Sequence, residues 1–200
     1  MERRRRMRAA SPLLFAAVLA ACGNPSVDDR IEALGEETPG VEPGPYHRPG
    51  QPCVLCHGPY FGAGPELSIG GTVFATDRGR VPVEGAIVRI WDSVGDSREL
   101  ATNCIGNFYV AKEDWDPLFP LKVEVEFGLP GGEAADRRLV GMSSRIERDG
   151  SCAGCHVDNK AEVSQTQASP GRIYCVKQEQ ADSDGIKFPA LGPSCPGKLP

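Results

Sequence analysis

Cys53-Val54-Leu55-Cys56-His57 and Cys152-Ala153-Gly154-Cys155-His156 each set two thiols three positions apart with an imidazole directly after the second. Thiols at that spacing reach the two vinyl groups of one porphyrin as thioethers, and the adjacent His turns its imidazole under the iron; C-x-x-C-H is the attachment signature of c-type haem. With this composition a single match arises by chance about 0.005 times per chain, so two are no accident. The competing chemistry is a zinc ribbon, in which Cys53, Cys56, Cys152 and Cys155 close one tetrahedral site and leave His57 and His156 incidental. Two thioredoxin-like redox pairs are a further alternative, without the βαβ context they require.

Both motifs resemble those of c-type cytochromes, including Gly58 directly after His57. The likeness implies two covalently bound haem c groups, thioethers at Cys53, Cys56, Cys152 and Cys155, and proximal iron ligands at His57 and His156. Each iron then has a sixth position. Outside the motifs the chain has one further His, His47, and one Met beyond the first seven residues, Met142. These are the distal candidates, one giving a bis-His haem and the other a His/Met haem of higher potential. Met142 also fits a plain core position near Val140 and Ile146. Pro59 and Gly62 limit the first motif to little more than a helical turn.

Of the other cysteines, Cys22 follows Leu19-Ala20-Ala21, which resembles the lipobox of bacterial lipoproteins, so Cys22 is expected to carry lipid. Among Cys104, Cys175 and Cys195, the expected disulfide joins Cys175 to Cys195 and leaves Cys104 as a buried, inert thiol.

The elements that must position these groups begin with an export signal. Arg3 to Arg6 and Arg8 form a basic start, and Leu13 to Ala21 an apolar stretch too short to span a bilayer. Removing residues 1–21 takes away five Arg and one Glu and shifts the formal net charge from −5 to −9, which disfavours nucleic acid as a partner. Residues 22–51, rich in Pro, Gly and acidic side chains, read as a lipidated flexible tether reaching roughly 30 Å from the membrane. Residues 52–66 form a first haem loop, 129–176 a second haem-binding segment, and 177–200 a Gly/Pro-rich tail.

Between the loops, Leu121, Val123, Val125 and Phe127 alternate with Lys122, Glu124 and Glu126, and Ala86, Val88 and Ile90 with Ile87, Arg89 and Trp91. Shorter runs lie at 71–76, 98–102 and 107–110. The spacing predicts a mainly β fold, a small antiparallel β-sandwich over 67–128 flanked by loop-rich haem-binding segments. Gly71-Thr72-Val73, Pro82-Val83-Glu84-Gly85-Ala86-x-Val88 and Thr102-Asn103-x-x-Gly106-Asn107-Phe108 resemble the carboxypeptidase regulatory-like domains, which are transthyretin-like seven-stranded sandwiches. Cys104 within the Thr-Asn-x-x-Gly turn departs from that pattern. The resemblance implies a scaffold or binding module and assigns no chemistry.

The expectation is therefore a membrane-anchored cytochrome of the cell envelope, on the outer membrane if Gly23 after Cys22 is read by that sorting rule. It would exchange single electrons with partner proteins and act as a carrier rather than a catalyst. A zinc-stapled lipoprotein, and a haem enzyme or sensor with one open iron, are the other readings.

Overall fold

The computed structural model describes residues 24–37, 41–130, 137–157 and 169–189. Seven strands form two packed sheets: β1 (Leu67–Thr76), β2 (Ile87–Trp91), β3 (Ser97–Ala101), β4 (Asn107–Ala111), β5 (Lys122–Gly128), β6 (Arg137–Gly141) and β7 (Ile173–Val176). One sheet has the order β4-β1-β7 and the other β3-β2-β5-β6. The fold is mainly β, a small β-sandwich, as the alternation predicts.

In β5, Val123, Val125 and Phe127 turn inward while Lys122 and Gly128 are exposed, and β2 faces them with Val88 and Ile90, both fully buried. Ile69, Val73 and Ala75 of β1 and Phe108 and Val110 of β4 close the core from the other sheet. Burying such side chains contributes about 1.5–3 kcal/mol each before entropy is counted. On the solvent side of the second sheet, Arg89 donates to Glu99 at 2.7 Å and also to Glu126, which receives Arg137 at 2.8 Å. These pairs tie β3, β2, β5 and β6 in their observed register.

Three boundaries differ from the sequence expectation. The sheets do not end at residue 128: β6 extends the second sheet, and β7 adds to β1 in parallel, Val73 opposite Ile173. The segment after residue 128 is thus woven into the sandwich rather than hung beside it. Residues 25–33 form a helix, α1 (Pro25–Ala33), instead of unstructured tether. The tail likewise contains a helix, α3 (Gln178–Asp184), closed by Gly185 at φ +66°.

β1 is buried on both faces because the chain from residue 45 onward covers its outer side. Gly50 N–H donates to Thr72 Oγ1 at 2.7 Å, Thr72 donates to Asn107 Oδ1 at 2.7 Å, and Asn107 Nδ2 donates to His47 O at 3.0 Å. Asn103 Nδ2 reaches Pro45 O at 2.6 Å. Polar side chains on the outer face of the sheet therefore fix the backbone that carries His47.

Candidate cofactor-binding site

The first motif is a single helical turn, α2 (Cys53–His57), opened by Pro52. Positions i, i+3 and i+4 of a helix share one face, so Cys53, Cys56 and His57 are presented together. Gly58 ends the turn; a Cβ there would stand 2.4 Å from Val54 O, which only glycine avoids. His57 Nδ1–H donates to Pro65 O at 2.9 Å. The carbonyl selects the tautomer in which Nε2 keeps its lone pair, the form a metal-ligating imidazole takes.

His47 lies opposite, its ring centre 5.7 Å from that of His57 and its Nδ1 against Gly44 O. Two imidazoles each bound to one metal ion at about 2 Å through nitrogen have ring centres about 6 Å apart. Both rings border a cavity of about 640 Å³ whose wall is largely apolar, with Leu67 and Tyr109 from the sheet, Phe61 and Pro65 from the loop after α2, and Ile31 and Leu34 from α1. That volume lies within the range of cofactor pockets. Arg48 pins the end of α1 over this cavity: it pairs with Glu37 at 3.1 Å and donates to Gly35 O at 3.0 Å.

The second motif is also one turn, a 3₁₀ turn at Cys152–Gly154 continued by His156 N–H donating to Cys152 O at 2.9 Å. His156 Nδ1–H donates to Gly171 O at 2.7 Å, while its Nε2 is buried and has no partner. Burial pushes His156 below the ordinary histidine value, opposed by the Gly171 hydrogen bond, so the ring is neutral. A neutral imidazole with a desolvated, unpaired Nε2 is what an iron ligand requires. Ser169 organises the surrounding loop. Its hydroxyl lies 2.8 Å from Cys155 O and 2.9 Å from Val157 O, and accepts the N–H groups of Val157 and Gly171 at 3.2 and 3.0 Å.

The two motifs meet at β1. A Cβ on Gly70 would fall 2.7 Å from Cys53 Cβ, and one on Gly71 would fall 2.8 Å from Cys152 Cβ and from Phe108 Cζ. Gly150 N-terminal to the second motif approaches so closely that a Cβ there would meet Ser68 O at 1.9 Å, and its carbonyl accepts Gly70 N–H at 3.0 Å. Burial pushes the Cys53 thiol up to about 11 and the Cys152 thiol up to about 12. Both remain protonated at neutral pH, which suits neither nucleophilic attack nor a thiolate cluster. Among the described residues no group of three or more His, Cys, Asp or Glu side chains is gathered to hold one metal ion. The four motif cysteines therefore do not form the zinc site that the sequence leaves open.

Met142 packs half-buried against the core, its N–H bonded to Val123 O at 3.1 Å on the four-stranded sheet. It takes the core position rather than lining the cavity. The cysteine pairing is a correction: Cys175 is a free, buried thiol and Cys104 is the disulfide-bonded one. The other described cysteines are free, so the partner of Cys104 lies outside the described residues. Cys22 and Cys195 also lie outside them. Sequence reasoning missed Ser169, α1 as part of the cavity wall, and the Gly70–Gly71 step, although two glycines inside a strand signal close approach by another chain segment. Comparison with protein-family models, curated proteins and solved structures finds no match.

Proposed function

We propose that the chain is an exported, lipid-anchored dihaem c-type cytochrome that carries single electrons between partner proteins in the cell envelope, facing the periplasm or the surface, with the outer membrane favoured. The observation that carries this reading is shared by both motifs. Each motif histidine donates Nδ1–H to a backbone carbonyl and keeps Nε2 available, although the two carbonyls come from unrelated loops. When bound, each haem supplies an iron that cycles between ferrous and ferric states.

The chain's own residues supply the rest. His57 and His156 offer the proximal nitrogens, Cys53 and Cys56 hold one haem and Cys152 and Cys155 the other, and His47 offers the distal nitrogen facing His57. The apolar wall from Ile31 to Tyr109 excludes water from the first site, which limits rearrangement when the charge changes. Seven strands in sheets of three and four support the likeness to carboxypeptidase regulatory-like domains, here serving as the frame that brings both motifs to one strand. Lipid on Cys22 provides the membrane attachment. No nucleic acid takes part.

One observation favours a variant of this reading. Met142 sits in the core, so the His156 haem has no methionine to fill its sixth position and would take small exogenous ligands, as a sensor or haem enzyme does. Carbon monoxide uptake counts such open irons. The test of the main proposal is the intact mass, under denaturing conditions, of protein made with a c-type haem maturation system. A covalent gain of two haems supports it, and a mass equal to the polypeptide alone overturns it.

A further inference from the structure

β1 is a single strand, so consecutive residues point to opposite faces. Gly71 shares the inner face with Ile69 and Val73, and Gly70 the outer face with Thr72. Cys53 presses on the outer side of Gly70 and Cys152 on the inner side of Gly71, each at a distance that leaves no room for a side chain. Consecutive Cα atoms are about 3.8 Å apart, so these contacts hold the two cysteine Cβ atoms within about 12 Å of each other. The motifs are 99 positions apart in sequence, yet the parallel bridge of Ser151 to Gly70 and the seating of α2 on β1 converge them there.

We propose that Gly70 and Gly71 are positioning residues that pin the two haems as an adjacent, magnetically interacting pair, one on either side of β1. The inference rests on the dihaem reading and adds a property that reading does not require, since two haems at opposite ends of a sandwich would also carry electrons. Gly70 sets the separation on the outer side, where Cys53 Sγ would come within 2.9 Å of an added Cβ. Gly71 sets it on the inner side, where Phe108 leaves the second cysteine no other position.

The test is electron paramagnetic resonance of the fully oxidised, full-length protein. Its spectrum is compared with the sum of two single-haem variants, one with Cys53 and Cys56 changed to Ala and one with Cys152 and Cys155 changed to Ala. The expected dihaem spectrum is broadened and shifted, and differs from that sum. Gly70→Ala pushes α2 away from β1 and is expected to move the spectrum toward the sum, with both haems still present by mass. Gly128→Ala, where an added Cβ meets nothing within 4 Å, is the control and keeps the interaction. A dihaem spectrum equal to the sum overturns the pair while leaving the dihaem reading intact. An interaction unchanged in Gly70→Ala overturns the role of the glycine step. Protein with no covalent haem removes both.

Discussion

Ser169→Ala isolates the part of the second site that belongs to the protein rather than to the cofactor. Ser169 is 6% exposed, and its hydroxyl donates one hydrogen bond, to Cys155 O or Val157 O, while accepting two N–H groups. A typical hydrogen bond contributes about 1 kcal/mol net, and a buried donor left unpaired costs about 1–3 kcal/mol. Water reaches half-buried Val157 and restores part of this. The variant should therefore lose about 2–3 kcal/mol. With a urea m-value of about 2 kcal/mol/M, the unfolding midpoint falls by about 1–1.5 M. A second readout follows from Gly171, whose N–H is held by Ser169 and whose carbonyl holds His156 Nδ1. Nitrogen NMR of the haem-free protein should show the Nδ1–H tautomer of His156 dominant in the wild type and a mixture in the variant. A midpoint shift under about 0.3 M together with an unchanged tautomer would refute the assignment of Ser169 as the residue that orients His156.

The remaining predictions concern separate features. His47→Ala opens the first iron, so the loaded variant should take up one more carbon monoxide per protein than the wild type; equal uptake shows that His47 is no ligand. When haem-free protein is unfolded without reductant, alkylation should label Cys175 and the four motif cysteines and spare Cys104 until a reductant is added; the reverse pattern restores the Cys175–Cys195 pairing. The hydrogen bond from Arg89, with Arg137 adding to it, holds the Glu126 carboxyl below the usual carboxylate range. Its stabilisation is present above the ordinary carboxylate value and is lost as pH falls through the depressed one. Glu126→Gln should thus be less stable than the wild type at pH 7, with the gap closing on acidification, as followed by urea midpoints; a gap that widens in acid contradicts the pairing.

What was legible in the sequence follows from what each feature depends on. The motif residues could be read because thioether and ligand chemistry fixes residue type and spacing within five positions. β2 and β5 could be read because one face of each is buried and the other is not. β6 escaped because it is an edge strand: four of the five residues of Arg-Arg-Leu-Val-Gly stay exposed, so no alternation marks it. α1 was hidden in acidic, Pro-bearing sequence and is held by tertiary contacts, with Ile31 and Leu34 on the cavity and Arg48 bonded to Gly35 O. Cys104 and Cys175 exchanged roles because three leftover thiols admit three pairings and composition does not choose among them. The convergence of the motifs depends on strand pairing over long separations, which local pattern does not encode.

The parallel pairing of β1 with β7 also orders events in time. Val73 meets Ile173, and Cys152 lies on the connection between them. The sandwich therefore cannot close over β1 until the chain beyond the second motif has emerged, and so long a loop makes that closure slow relative to local structure. Both cysteine pairs are thus still on open chain, with their thiols not yet desolvated, through the interval in which a maturation machinery has access to them. Closure of the last strand then marks the end of that interval and buries Cys152 and Cys175 in the core.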